Sequence, residues 1–431
     1  MGILSSFTAA PGCGAVVAPV WRGVCRGMAR SSSPVFPAPR LVVSTQDLEE
    51  ALAPLHQERY VTVDTEFMRE RTYWPELCLV QIGGEKDVIL IDAQAEGLDL
   101  APLAALMADA GVLKVFHAAR QDLEIFLHLF DALPTPVFDT QVAAMVAGFG
   151  DQVGYDSLVG SLTGSSIDKS HRFTDWSVRP LSEAQLTYAA GDVTWLRVVY
   201  EKLASKLEQD GRLEWVAAEM AELEEPSTFL PDPERQWERL RARTGNRRML
   251  GILRAVAALR EREAQRLDVP RQRLIRDESL LEIAATVPTT LEALARVRGV
   301  TRGLAEGRTG QALLDAVRQA QALPDSQLPR LPKGRGKDGP KASSSLVAMF
   351  KVLLAACCEE HDVAPKLVAS QDDLEALAID PSQAGAVLTG WRARVFGNAA
   401  VALRDGRVAL VVRDGRVVSL PVGETAEQEV G

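Results

Sequence analysis

Two carboxylates stand two residues apart in the segment V-T-V-D-T-E-F, residues 61–67, where apolar or β-branched residues alternate with polar ones. In a strand, this period of two places Asp64 and Glu66 on the same face. Neighbouring carboxylates repel each other, so either one stays protonated or a cation lies between them, and Mg²⁺ prefers oxygen ligands of this kind. The alternative is a solvated polar strand face, which further acids converging on the pair would exclude.

Three later residues are candidates to complete the cluster. Tyr188 and Asp192 are four residues apart in L-T-Y-A-A-G-D-V, so on a helix they share one face. Asp122 lies in the first turn of another predicted helix. Four carboxylates beside a phenol suit two-metal phosphodiester hydrolysis, in which the ions activate a water and stabilise the departing 3′-oxygen. Taken singly, each residue also has an ordinary role, as a helix N-terminal charge, a solvated polar group or a half-buried aromatic.

The surrounding pattern predicts an α/β domain that would position these residues. Period-two and continuous apolar runs predict four strands, at residues 61–67, 78–82, 88–91 and 113–116. Capping residues and helical periodicity predict helices that begin near residues 44, 99, 119, 139 and 182.

Length and composition limit the possible classes of protein. The 431 residues predict two or three domains, and a hydrophobic fraction of 47% excludes a disordered chain. The net charge of −10 leaves no overall basic field, so any binding of nucleic acid must be local. No apolar run approaches the ~18 residues of a membrane helix, which predicts that the protein has no membrane partner.

The five cysteines contain no C-x-x-C pair, which indicates reduced thiols and a cytoplasmic location. The five histidines lack the spacing of a zinc site. Residues 1–40 are rich in Ala, Gly, Pro and Ser and carry four arginines without any acid, as in an organelle transit peptide or an extension before a start at Met28. We favour the second interpretation and predict disorder under either one.

Five motifs occur in a fixed order between about residues 41 and 210: D-T-E-F, H-A-A-R-Q-D-L, F-D-T-Q, D-W-S-V-R-P-L and Y-A-A-G-D-V. Together they resemble the ribonuclease D family, 3′→5′ exonucleases of the tyrosine-bearing branch of the DEDD superfamily. The resemblance implies a ribonuclease-H-like core, with a mixed sheet flanked by helices and the site at the edge of the sheet.

The resemblance also implies roles for the five site residues and two divalent ions, Mg²⁺ or Mn²⁺. Asp64, Glu66 and Asp192 would hold the metal nearer the attacking water. Asp64 would bridge to the second metal, to which Asp122 contributes. Tyr188 would position the nucleophile. Two neighbouring residues are weaker candidates, His117 for the 3′-terminal nucleotide and Arg179 for a phosphate.

The rest of the chain resembles helical HRDC modules. The first likeness spans residues 235–315 and lies in residues 253–284 and in L-A-R-V-R-G-V at 294–300; the second, a divergent copy, spans residues 346–396 and lies mainly in G-W-R-A-R-V-F at 390–396. Residues 234–276 hold 13 arginines and 5 acids; this run is either a solvated helix face or a nucleic-acid contact, with the turn 245–248 as a candidate for binding phosphate. Asp-Gly pairs at 405–406 and 414–415 predict two hairpin turns.

These patterns predict the following division: a disordered extension at 1–40, the exonuclease domain at 41–215, an HRDC domain at 235–318, a flexible linker at 319–345, and a second HRDC-like domain with C-terminal hairpins at 346–425. The predicted function is metal-dependent 3′→5′ trimming of tRNA precursors and other stable RNAs by a monomer that releases nucleoside 5′-monophosphates. A DNA exonuclease of the Werner type and a catalytically inactive nucleic-acid-binding scaffold are the alternatives.

Overall fold

The computed structural model describes residues 37–240, 242, 244–330 and 341–422. These residues form three bodies, of which the first is an α/β domain. Its strands are β1 (Pro39–Val42), β2 (Tyr60–Met68), β3 (Glu76–Gly83), β4 (Val88–Asp92), β5 (Leu113–Phe116) and β6 (Val137–Asp139). Its helices are α1 (Thr45–Leu52), α2 (Ala101–Ala108), α3 (Arg120–Phe130), α4 (Thr140–Val146), α5 (Tyr155–Thr163), α6 (Glu183–Gln209) and α7 (Leu213–Leu223). The predictions for residues 1–36, 331–340 and 423–425 lie outside the described residues.

The six strands form one mixed sheet in the order β1-β4-β3-β2-β5-β6. Strand β3 runs antiparallel to both of its neighbours, and the other pairs are parallel. Helices cover both faces, which confirms the predicted fold class. The short strand β6 was not predicted, because three residues are too few to show a period.

The two faces of β2 have different neighbours because its side chains alternate. Val61 and Val63 belong to the core cluster that contains residues of α1, α2 and α3. Tyr60 points the other way, with its ring centroid 4.6 Å from that of Tyr200 in α6. Thr62 Oγ1 donates a hydrogen bond of 2.8 Å to the carbonyl of Val193, also in α6. The same alternation directs the side chains at positions 64 and 66 toward α6.

Three predicted boundaries do not coincide with the ends of helices or strands. Pro39 and Arg40 belong to β1 rather than to the extension, because they pair in parallel with β4, and proline is tolerated at the first residue of an edge strand. The boundary at 215 falls inside α7, whose Val216 and Met220 are buried in the core of the first domain. The boundary at 318 likewise falls inside a helix.

The second body is a helical module with a core of its own, which includes Trp237, Leu253 and Leu313. Its helices are α8 (Arg247–Leu267), α9 (Arg271–Leu274), α10 (Asp277–Thr286), α11 (Leu291–Leu294), α12 (Arg302–Glu306) and α13 (Arg308–Ala322). It is joined to the loop after β2, where the Tyr73 hydroxyl donates a 2.5 Å hydrogen bond to buried Glu261.

The arginines of the turn 245–248, the candidate phosphate contact, bind groups of their own module. Asn246 caps α8, and Arg247 donates to the carbonyls of Asp325 and Leu328. Arg248 donates to two carbonyls and forms a 2.7 Å salt bridge with Asp325. Both guanidinium groups therefore close the module onto its own C-terminal segment.

The third body contains α14 (Ser344–His361), α15 (Pro365–Val368), α16 (Gln371–Ile379), α17 (Gly390–Arg392), α18 (Asn398–Arg404) and a hairpin of β7 (Val408–Arg413) and β8 (Arg416–Pro421). It packs against α7, where Glu219 accepts hydrogen bonds from Trp391 Nε1 at 3.0 Å and Arg392 at 2.6 Å. Within the described residues, no helix combines the length and apolar character needed to cross a membrane.

One of the two predicted hairpin turns is wrong. Asp414 and Gly415 join β7 to β8, and both have positive φ, at 51° and 76°. Asp405 and Gly406 instead terminate α18, because the chain before them is helical and Gly406, at φ 71°, provides the left-handed residue after a helix end.

Candidate active site

All five predicted site residues line one cavity of about 520 Å³ at the end of β2. Asp64 and Glu66 come from the strand, Asp122 from the first turn of α3, and Tyr188 and Asp192 from α6. The cavity thus collects side chains from segments more than 120 residues apart.

Three of the carboxylates form the closest group. Oxygen atoms of Asp64, Glu66 and Asp192 lie within 4.8 Å of one another. The two strand acids point toward α6, where Asp192 directly precedes Val193, the residue that bonds Thr62. This all-oxygen set matches what a hard divalent cation requires.

Asp122 lies beside this group and is not part of it. Its Oδ1 accepts a 2.5 Å hydrogen bond from the hydroxyl of Thr65. Thr65 is buried, and it stands between the two strand acids in the sequence. Thr65 therefore fixes the orientation of Asp122. Sequence reasoning missed this role, because the alternation along β2 puts Thr65 on the face opposite the two acids without showing that α3 covers that face.

Helix α6 is held in place at its N-terminal end. Ser182 and Gln185 form a reciprocal capping box. Just before it, Arg179 makes two hydrogen bonds to the Asp92 carboxylate, at 2.6 and 2.7 Å, and one to the Cys78 carbonyl. The suggested phosphate role of Arg179 is therefore wrong, because its guanidinium anchors the loop before α6 to the sheet.

Two tyrosines contact Asp192, and a histidine lines the same cavity. The Tyr188 hydroxyl hydrogen-bonds the Asp192 carboxylate, and the Tyr155 hydroxyl donates to the Asp192 carbonyl at 2.5 Å. His117 lines the cavity and donates from Nδ1 to Thr140 Oγ1 at 3.0 Å, since that hydroxyl gives its own proton to the Phe116 carbonyl. Contact of His117 with a nucleotide stays a prediction.

The acids raise one another's pKa values. Burial raises the pKa of Asp64 to about 6. Burial, and then repulsion from Asp64, Asp192 and Asp122, raises that of Glu66 to about 10. The pKa values of Asp122 and Asp192 are raised by burial first and by Asp64 second. A bound divalent cation would remove this penalty by letting the carboxylates ionise together.

Three other residues of the cavity went unnoticed in the sequence. Tyr155 begins a short helix after a Gly-rich connection, and Arg172 and Phe173 lie in the polar loop before α6. Only H-R-F within that loop offered a signal, as a cation and an aromatic beside the tyrosine-bearing helix.

A second cavity, of about 580 Å³, lies between the first domain and the helical module. Gln121 lines both cavities. The second cavity is also lined by five arginines, which come from both bodies: Arg69, Arg120, Arg235, Arg239 and Arg271. Glu124 pairs with Arg69, Glu238 with Arg235 and Glu261 with Arg271, and Asp232 also lines this cleft, so its net positive charge is small.

Comparison with known proteins identifies the families that match the first two bodies. Residues 39–208 match the family model for a 3′-5′ exonuclease, and residues 249–317 match the HRDC domain model. The chain is 62% identical to ribonuclease D of Gluconacetobacter diazotrophicus, over 91% of this chain and 100% of that protein. It is 60% identical to ribonuclease D of Granulibacter bethesdensis, over 89% of this chain and 97% of that protein.

A solved structure leads to the same family. The crystal structure of Escherichia coli RNase D, an exoribonuclease involved in structured RNA processing, superposes with a TM-score of 0.73 at 28% identity, covering 85% of this chain and 98% of that one. With the high identity of the bacterial relatives over nearly their whole length, this chain belongs to the ribonuclease D family of 3′→5′ exoribonucleases.

Proposed function

We propose that this exoribonuclease trims tRNA precursors and other stable RNAs by metal-dependent hydrolysis, releasing one nucleoside 5′-monophosphate at a time. The observation that carries the proposal is the convergence of Asp64, Glu66 and Asp192 within 4.8 Å, beside Asp122, in one cavity. Four clustered acids with raised pKa values fit divalent cations, because the two cationic side chains of the cavity, Lys169 and Arg172, carry less positive charge than the four carboxylates carry negative charge.

The proposed metals are two ions of Mg²⁺ or Mn²⁺. Asp64, Glu66 and Asp192 would hold the first, and Asp64 with Asp122 the second. When bound, such a pair supplies an activated water and stabilises the charge on the scissile phosphate and the leaving 3′-oxygen. Thr65 keeps one Asp122 oxygen engaged and thereby orients the other toward the cavity.

Tyr188 orients the nucleophile in this proposal. Burial, and then the nearby Asp192 charge, raises the pKa of its hydroxyl, so the phenol stays neutral at ordinary pH. A neutral phenol serves as a hydrogen-bonding guide for the water rather than as a base.

Tyr188→Phe is expected to lower kcat by about 10- to 100-fold with little change in KM, because the water loses its guide. The measurement is steady-state turnover of a 3′-hydroxyl RNA between pH 7 and 9. The variant and the parent should show pH profiles of the same shape. If the variant lost an alkaline rise that the parent shows, Tyr188 would be a base, and the orienting role would be wrong.

The cleft between the first two bodies supports RNA as the substrate. Its arginines lie along a path that continues from the acidic cavity through Gln121 and into the helical module. Cationic side chains beside a polynucleotide path give affinity that does not depend on sequence.

The substrate is tested by offering the purified protein a tRNA precursor with a 3′ trailer and matched single-stranded RNA and DNA of one sequence. Sequencing of the 3′ ends should show shortening of the precursor toward the mature end, and the RNA should be degraded faster than the DNA. Faster degradation of the DNA would favour a Werner-type nuclease. Metal binding without hydrolysis of either polymer would favour a scaffold.

Three further predictions belong to the proposal. The enzyme acts as a monomer, and it acts in the cytoplasm, in keeping with Cys78, Cys357 and Cys358, which are buried free thiols. The third body is a divergent second HRDC-like module.

A further inference from the structure

Phe173 exposes 91% of its surface at the rim of the acidic cavity. Single exposed apolar side chains are common on proteins and need no explanation by themselves. This one differs because it lines the cavity that holds the five site residues. A substrate bound at the acids would contact an aromatic ring in this position.

The turn that carries the Phe173 ring is fixed by hydrogen bonds. The carboxylate of Asp168 accepts the backbone N–H of Ser170 at 2.9 Å, and Thr174 Oγ1 donates to the His171 carbonyl at 2.9 Å. Gln185 of α6 donates to the same Thr174 oxygen at 3.3 Å. The turn that carries Phe173 is thus tied to the helix that carries Tyr188 and Asp192.

A free cation accompanies the ring. The guanidinium of Arg172 lies 5.3 Å from the Phe173 centroid and lines the same cavity. Among the described residues, no carboxylate forms a salt bridge with Arg172, whereas nearby Lys169 pairs with Asp156 and Arg179 with Asp92. Arg172 also opposes the rise in pKa of Glu66 and Asp192, which shows how near its charge is to the acids.

We propose that Phe173 and Arg172 grip the 3′ end of the substrate, with the Phe173 ring stacked on a nucleobase and the Arg172 guanidinium on a backbone phosphate. The proposal rests on the exonuclease function proposed above. A ring and a guanidinium side by side match the base and the phosphate of one nucleotide, and stacking of this kind tolerates every base. Because a stacked base must leave its duplex, the grip selects unpaired 3′ ends.

Binding is measured on full-length protein in the Asp192→Asn background with Mg²⁺, so that affinity is read without turnover. The probe is a single-stranded RNA with 2-aminopurine at the last or the second-last position, whose fluorescence falls when the base stacks. Phe173→Ala should abolish the quench and weaken binding by about 5- to 100-fold. Phe173→Trp should keep both.

Two comparisons sharpen the test. Val178→Ala removes another exposed apolar side chain from the same loop, outside the cavity, and should bind as the parent does. An RNA that lacks its two terminal bases should bind the parent and Phe173→Ala equally. Arg172→Met should reduce the slope of log affinity against log salt by about 0.7, the share of one phosphate on a single strand.

The grip is contradicted if Phe173→Ala retains the quench at both positions, or if removal of the two bases weakens the parent and Phe173→Ala by the same factor. These outcomes are independent of hydrolysis. A chain with Asp192 intact that binds with the quench and never degrades RNA would instead contradict the proposed function and leave the grip standing.

Discussion

Replacing Asp64 with Asn should lower turnover of a 3′-hydroxyl RNA by at least about 1,000-fold while RNA binding survives. Asp64 is the acid whose charge acts on Glu66, Asp122 and Asp192 alike, so it lies at the centre of the cluster. Its loss removes an oxygen ligand from both proposed metal positions. Asp192→Asn should also abolish turnover, and Asp64→Asn should do more damage. Single-turnover kinetics in Mg²⁺ measures the effect.

The matched control is Glu49→Gln, which neutralises an exposed acid on α1 and should leave turnover unchanged. Folding is checked by thermal melting in EDTA. There Asp64→Asn should melt no lower than the parent, because it removes a charge from a repelling group. Near-normal turnover of either Asn variant would show that the site assignment is wrong.

Replacing Glu219 with Leu should produce the largest loss of stability. Glu219 is buried on α7 and bonds both Trp391 and Arg392 of the third body. Removing one partner of a buried pair leaves the other charge without compensation, at a cost of about 3–5 kcal/mol. The expected result is a thermal midpoint lower by at least about 6 °C, measured by scanning calorimetry.

Two further variants separate the ion pair from general damage to α7. Glu222→Leu changes an exposed acid on the same helix and should leave the midpoint nearly unchanged. The double variant Glu219→Leu, Arg392→Leu should recover most of the loss, because apolar residues can replace a buried pair at little cost. Equal midpoints for Glu219→Leu and the parent would mean that the third body does not dock through this pair.

Local periodicity was enough to predict which site residues share a face within one element. The period of two put Asp64 and Glu66 on one face, and the spacing of four put Tyr188 and Asp192 on one face of α6. These rules work because each describes a single element. Which elements meet is decided by the sheet order, which pattern alone does not give. The five motifs of the family resemblance provided that step.

The missed contributions all depend on tertiary neighbours. Sequence analysis assigned no role to Thr65, because only the folded domain brings Asp122 of α3 to its hydroxyl. From the sequence, Arg179 was a candidate to bind a phosphate. In the structure its guanidinium forms a salt bridge with Asp92, which is distant in sequence. The two Asp-Gly pairs are identical in sequence but form different structures, because Gly406 follows the end of a helix and Gly415 lies in the turn that joins two strands.

The central claim is that the acid cluster is a metal-dependent 3′→5′ exonuclease centre. It is tested most directly by mass spectrometry of the products formed from a 3′-hydroxyl RNA by the full-length chain, with Mg²⁺ and with EDTA. With Mg²⁺ we expect nucleoside 5′-monophosphates and a ladder of RNAs shortened from the 3′ end, and in EDTA no products. Hydrolysis that persists in EDTA, or products that are internal fragments or nucleoside 3′-monophosphates, would contradict it.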